Sequence, residues 1–257
     1  MGPVLFLLYI NDLPNALVNG KSTLFADDTT LKNSGPNVNI LRDQTNEDLK
    51  AVSKWFSANK LTLNIEKTSG CHFRLRNSHE INGITIDGEE IKMLKSVKYL
   101  GLYVDHQLRW NEHINRITQK VNMYAGILGR IRSHLDKNTL KMIYSSLVHS
   151  AISYGIEVWG CALPTTQQPL KIAQKKLIRV ISKKGPRETT PPLFLSWEIR
   201  TITQEVKFRH SLLSFDLVKK GNNYIPIATN HPHNYPTRFA RSNLPLCRTR
   251  TRRHGTN

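Results

Sequence analysis

The sequence predicts an α+β protein: antiparallel strands mixed with helices to about residue 110, then an all-helical region. Three observations predict this. Short runs between Ser22 and Val104 alternate apolar and polar residues and are separated by tight-turn dipeptides. After Trp110 the period lengthens to three and four residues. Charge divides the same way: residues 1–70 hold 7 Lys/Arg and 7 Asp/Glu, whereas residues 71–257 hold 30 and 12, which supplies the whole formal charge of +18.

Taken in order, Gly2-Pro3 opens an apolar run of Val4, Leu5, Leu7, Leu8 and Ile10 that reads as a buried helix, stopped at Asn11, Asp12 and Pro14. With no cap ahead of it, the chain reads as cut inside a core element. Ser22 to Lys32 reads as a hairpin: Thr23, Leu24, Phe25, then Ala26-Asp27-Asp28, then Thr29, Thr30, Leu31. Leu41 to Phe56 has helical spacing, with Leu49, Val52 and Phe56 on one face. Leu61, Leu63 and Ile65 alternate with polar residues, as do Cys71, Phe73 and Leu75, so both runs predict half-buried strands. Asn82-Gly83 and Asp87-Gly88 flank Ile84-Thr85-Ile86, a signal for short antiparallel strands. Val97 to Val104 predicts a further strand, with Gly101 marking a bulge or close approach.

Ile114, Ile117, Val121, Tyr124, Leu128, Ile131 and Leu135 then predict a long amphipathic helix. Asp136 or Asn138 can cap a second, with Leu140, Ile143, Leu147, Ala151 and Tyr154 facing the core. Leu170, Ala173, Leu177 and Val180 give a third, surrounded by Lys171, Lys175, Lys176, Arg179, Lys183 and Lys184. A weaker helical stretch runs from Arg200 to Lys219. From Gly221 onward no period survives and arginines gather, which predicts a loop or disordered basic tail over 221–257.

With 257 residues, 39% hydrophobic and 22% charged, the chain can build one large core or two modest ones. Its longest apolar run, Val4 to Ile10, is far short of the roughly 20 residues that span a bilayer. No basic segment precedes that run to make a secretory signal. A soluble intracellular protein without a membrane partner is therefore expected, nuclear or cytoplasmic. Cys71, Cys161 and Cys247 lack zinc-knuckle spacing. The basic excess favours a polyanion, because each phosphate contact releases counterions. The six basic residues around the third helix are the candidate nucleic-acid-binding set, although a solvated helix face has the same pattern.

Asp27 and Asp28 are adjacent carboxylates within an apolar hairpin. Two such charges raise each other's proton affinity unless a cation offsets them, and oxygen ligands select magnesium or manganese over zinc. The dipeptide alone fits a plain turn between two strands better than a metal site. In context, Phe25-Ala26-Asp27-Asp28 resembles the aromatic-x-Asp-Asp box of reverse transcriptases, in the form found in non-LTR (LINE-type, Jockey- or CR1-like) retrotransposons. The run from Gly2 to Pro14 resembles the end of that family's template-contacting motif and the helix after it. Trp55-Phe56 with Asn59-Lys60-Leu61-Thr62-Leu63-Asn64-Ile65-Glu66-Lys67-Thr68 is similar to the following palm segment. Lys98-Tyr99-Leu100-Gly101-Leu102 resembles the primer-grip strand. Tyr154-Gly155, Val158-Trp159-Gly160 and Leu170 to Ile181 resemble the helical thumb side.

This resemblance implies a C-terminal part of a palm with primer-grip strands over 1–110 and a helical thumb-like region over 111–220. It implies RNA-directed DNA polymerase chemistry with two magnesium ions, manganese being a substitute. Asp27 and Asp28 match the metal-holding catalytic acids, and Lys67 matches the lysine that neutralises departing pyrophosphate. Tyr99, Leu100 and Gly101 match the primer-binding turn. RNA template, DNA primer and deoxynucleotide triphosphates are the implied partners, with protein partners open. The family also carries another palm aspartate on an earlier strand, which has no counterpart here, so an N-terminally truncated chain with little polymerase activity is expected. A non-catalytic RNA- or DNA-binding module is the alternative, and an incompletely folded product of a defunct element a third.

Overall fold

The computed structural model describes residues 1–74 and 80–219. It divides into two compact units that meet in sequence at Val97 and Lys98.

The first unit opens with α1 (Gly2–Ile10), where Pro3 occupies an early position that needs no N–H donor. This helix is not buried as its sequence predicts. Ile10 is covered, but Val4, Leu5, Leu7 and Leu8 face solvent. The run is apolar all round, and the small core of Ile10, Leu13 and Val52, with Phe6, Leu24, Leu31 and Trp55 against it, covers only one side. Strands β1 (Lys21–Phe25) and β2 (Asp28–Lys32) form the expected hairpin, in register from Lys21 opposite Lys32 to Phe25 opposite Asp28. Helix α2 (Val38–Ala58) follows, its first turn capped by Asn37, which accepts the Ile40 N–H at 2.9 Å.

Leu61, Leu63 and Ile65 are half-buried and alternate with exposed Thr62 and Asn64, as predicted. They form no ladder among the described residues, so the period is that of an extended run packed on one face rather than of a paired strand. The strand expected around Cys71 shrinks to β3 (Ser69–Gly70), which pairs in parallel with β6 (Lys92–Met93) rather than antiparallel. Phe73 is exposed while Arg74 turns inward and meets Glu80 at 2.7 Å, which inverts the expected facing. Leu75 lies outside the described residues. Strands β4 (Thr85–Ile86) and β5 (Glu89–Glu90) pair as predicted across Asp87-Gly88, both in the left-handed region (φ 52° and 87°). Ile81, Ile84, Ile86 and Ile91 close a second small core on Leu49.

The predicted strand over 97–104 is instead two, β7 (Ser96–Tyr99) and β8 (Leu102–Asp105), forming a two-stranded sheet. Leu100 and Gly101 both take positive φ (44° and 82°), so the glycine read as a bulge or close approach is the second residue of a tight turn.

Helix α3 (Asn111–Ile131) and helix α7 (Pro164–Ile181) lie side by side in the main core. Between them, α4 (Lys137–Ile143), a π-helical segment (Tyr144–His149) and α5 (Ser150–Ser153) are consecutive helical segments, capped at the start by Asp136. Leu140, Tyr144, Val148 and Ile152 are buried, in place of the predicted Leu147 and Ala151. A strict four-residue spacing drifts around an α-helix of 3.6 residues per turn, and the wider π turns take up that drift. Short helices α6 (Ile156–Trp159) and α8 (Pro191–Ser196) have no periodic signal, whereas α9 (Ile202–Lys219) matches its expectation. The core gathers Ile114, Val121, Leu128, Trp159, Leu177 and Ile178 with residues from all these helices. Among the described residues no helix is long and apolar enough to cross a membrane. The expected disordered tail over 221–257, with its arginines, lies outside the described residues.

Candidate functional site

Ala26 and Asp27 form the two-residue turn between β1 and β2, with Ala26 at φ 52°. The turn places Asp27 at its tip and Asp28 at the first position of β2. Both carboxylates are exposed, and neither has an ion-pair or side-chain hydrogen-bond partner among the described residues. The apolar neighbours divide: Leu24 and Leu31 pack on the core, while Phe25 is 62% exposed. Two adjacent, unneutralised carboxylates at a two-residue turn suit a hard divalent cation, whose preferred ligands are oxygens. Among the described residues no third acid, His or Cys joins them into a ligand set.

At the other end of the hairpin sits a residue that sequence reasoning missed. Asp48 of α2 is fully buried. Its Oδ1 accepts the N–H groups of Val18 and Asn19 at 2.9 and 3.0 Å, and its Oδ2 accepts the Gly20 N–H at 2.7 Å and the Asn33 Nδ2 at 2.6 Å. Burial pushes this carboxyl up, but the four donors outweigh it and hold its pKa below the ordinary carboxylate value. The available signal was phase: Asp48 is seven residues after Leu41 and four before Val52, a core position for a charged residue.

Lys67 is exposed at the turn after the extended run. Its N–H donates to Asn64 Oδ1 at 3.0 Å, and the Thr68 hydroxyl donates to the Asn64 carbonyl at 2.8 Å, so Asn64 and Thr68 of the same motif shape that turn. Two other motif segments also touch: the Tyr9 hydroxyl at the end of α1 donates to the Asn59 carbonyl at the end of α2.

In the second unit, the Leu100-Gly101 turn is held from outside. The Tyr154 hydroxyl donates to the Leu100 carbonyl. A Cβ on Gly101 would stand 3.1 Å from the Tyr154 ring, and one on Gly155 would stand 2.8 Å from Leu102. Tyr99 and Leu100 are half-buried and Gly101 is exposed. Tyr154 and Gly155, far away in sequence, thus form the seat of this turn.

The six candidate basic residues separate into groups. Lys171, Lys175 and Lys176 lie on the face of α7 away from Leu170, Leu177 and Ile178, without acidic partners among the described residues. Partial burial and the adjacent Lys175 charge lower the Lys171 pKa. Arg179 instead donates through Nε to the Glu188 carbonyl at 2.8 Å and holds a loop. Lys183, at φ 56°, and Lys184 lie past the helix end. Beside the three lysines, Thr118, Asn122, Thr165, Gln168, Ile172 and Lys176 line a shallow groove along α3 and α7.

Residues 1–104, which contain the acidic turn, the Lys67 turn and the Leu100-Gly101 turn, match the family model for reverse transcriptase (RNA-dependent DNA polymerase). Beyond this segment, the chain is similar over 98% of its length to the RNA-directed DNA polymerase from mobile element jockey of Drosophila melanogaster, at 24% identity. It is 25% identical, again over 98% of its length, to the jockey counterpart from Drosophila funebris. Over 90% of its length it is 25% identical to the probable RNA-directed DNA polymerase from transposon X-element of Drosophila melanogaster. The chain spans about a quarter of the length of these relatives, 27%, 28% and 26% respectively. No solved structure matches it significantly.

Proposed function

We propose that this chain contributes the acidic turn, the primer-contacting turn and a duplex-holding helical face to RNA-directed DNA synthesis in a retrotransposon reverse transcriptase. Asp27 and Asp28 would hold magnesium, with Asp27 at the turn tip the more direct ligand. When bound there, the divalent ions stabilise charge on the attacking and leaving oxygens of nucleotidyl transfer. Lys67 offers an exposed ammonium to neutralise departing pyrophosphate. The Tyr99-Leu100-Gly101 turn meets the primer strand, its glycine permitting close backbone approach. Lys171, Lys175 and Lys176 hold the template–primer duplex through phosphates, with Lys183 and Lys184 adding charge beyond the helix.

The observation that carries this reading is the pair of exposed carboxylates without a protein cation beside them. Unneutralised like charges at one turn are a cost unless something doubly charged binds there. Oxygen donors on one side only make a partial metal site, so the isolated chain is expected to synthesise little or no DNA on a primed RNA template. It is expected to bind Mn2+, detected by loss of the free-ion EPR signal, with affinity reduced at least tenfold in Asp27→Ala. A second reading, a non-catalytic binding module, draws on the absence of a third ligand among the described residues. It expects duplex binding to persist while Mn2+ affinity is weak and indifferent to Asp27→Ala.

A further inference from the structure

The metal-binding reading of Asp27 and Asp28 leads to a question of geometry: what fixes the direction in which their hairpin points. We infer that Asp48 is the positioning residue for this acidic turn, clamping the open end of the hairpin to α2 without touching anything the turn binds.

The last pair of the hairpin is Lys21 opposite Lys32. Gly20 and Asn33 are the residues immediately beyond it, one on each strand, and both donate to the same Asp48 oxygen, Oδ2, at 2.7 and 2.6 Å. The other oxygen holds Val18 and Asn19, so the lead-in to β1 is pinned as well. The approach is close enough to dictate Gly20: a Cβ there would stand 2.6 Å from Asn33 Oδ1 and 2.8 Å from Asp48 Oδ2. An acid rather than an amide is required, since Asn would turn an NH2 group toward N–H donors on one side. Asp48 itself is no metal ligand, being fully buried with both oxygens occupied.

Magnitudes separate positioning from mere anchoring. From Lys21 to Phe25 the strand extends four steps, roughly 14 Å at about 3.4 Å each. A pivot of about 10° at the base therefore moves the turn by about 2 Å, well beyond the roughly 0.5 Å tolerance of a productive site. Along its length the hairpin packs on the core through Leu24 and Leu31 on one face, so the polar hold at its base is the one from Asp48.

The test uses the intact chain in four variants: Asp48→Asn, the milder Asn33→Ala, Asp27→Ala and the control Ser53→Ala. Ser53 is also buried on α2, but its hydroxyl donates to Asp87, away from the hairpin. Hydrogen exchange of β1 and β2 amides relative to α2 amides, Mn2+ affinity by EPR and melting temperature are measured together. Asp48→Asn is expected to speed exchange in the hairpin at least tenfold over that in α2 and to weaken Mn2+ about tenfold. Asn33→Ala is expected to do so about threefold, and Ser53→Ala to lower the melting temperature alone. Exchange that rises evenly through the unit, or Mn2+ affinity that stays at the wild-type value in Asp48→Asn, overturns the inference. If Asp27→Ala leaves Mn2+ binding intact, the metal reading has failed instead, and the exchange pattern alone then decides for or against Asp48.

Discussion

His113 shows how much a single side chain can set the pH response of the second unit. It is buried between Trp110 and Trp159, its Nδ1 accepts the Tyr103 N–H at 3.4 Å, and its Nε2 has no hydrogen-bond partner among the described residues. Burial, and to a smaller degree the Lys120 charge, pushes its pKa down to about 4. The unfolded chain therefore takes up this proton near pH 6.5 while the folded one refuses it until about pH 4. Stability supplied by neutral His113 is full above pH 6.5 and falls as pH drops toward 4, by about 3 kcal/mol in total. Replacing it with Gln should flatten the melting temperature between pH 6.5 and 4.5 in calorimetry; a variant with the wild-type slope would exclude His113 as its source. Glu205 works at lower pH. Burial pushes its carboxyl up, but Arg200 at 2.7 Å, Arg209 at 3.0 Å and His149 at 3.4 Å outweigh this and hold it below its usual pKa. Its contribution is present above the unfolded carboxylate pKa of about 4.3 and disappears as pH falls through the folded value. Glu205→Gln should thus cost about 2 kcal/mol at pH 7 and progressively less in acid, measured by urea unfolding.

Among the elements, those with a long unbroken period were legible and those made by contact were not. Helices α2, α3 and α7 follow from spacing, because each packs one face over many residues, and the hairpin of β1 and β2 follows from its short alternating runs. The position of the acidic pair at the hairpin turn follows from the same reading. The seat of the Leu100-Gly101 turn was not legible, since Tyr154 Oη reaches it across more than 50 residues of sequence. Nor was the clamp of Asp48, three of whose four donors are backbone N–H groups that carry no residue signature. The π segment misled for a related reason: its widened turns shift the buried face from Leu147 to Tyr144 and Val148. Helix α7 supports a prediction at this scale. Lys175 and Lys176 are exposed, one helical turn and more beyond Lys171, whereas Arg179 is occupied with the Glu188 carbonyl. Lys175→Ala and Lys176→Ala should each weaken RNA–DNA hybrid binding for all sequences alike and reduce the salt slope by about one, read in a fluorescence titration. Arg179→Ala should instead lower the melting temperature with less effect on the slope. Equal slopes in all three would mean that this face meets no phosphates.

Across the whole molecule, charge and acidity occupy different units. Residues 1–97 hold 11 Lys/Arg and 11 Asp/Glu, while residues 98–257 hold 26 and 8, so the entire +18 lies on the side of the helical unit. A neutral unit presents the two bare carboxylates, and a strongly cationic one presents the lysines. On the proposed function, this partition would let affinity for a polyanion and affinity for a divalent cation be tuned apart. Electrostatic binding to nucleic acid depends on phosphates neutralised, with log affinity falling by roughly 0.9 per phosphate for each decade of salt. Asp27 and Asp28 face a repulsive term from a nearby phosphate chain unless a cation intervenes. In metal-free buffer, the double variant Asp27→Asn, Asp28→Asn should therefore bind an RNA–DNA hybrid at least as tightly as the wild type, with the same salt slope. With Mn2+ present, the wild type should gain affinity for a deoxynucleotide triphosphate and the double variant should not. Parallel titrations at several salt concentrations, with and without Mn2+, separate the two functions. A salt slope that changes by one or more in the double variant would show that the acidic turn sits within the phosphate-binding surface itself, and that the two units do not divide the labour as their charges indicate.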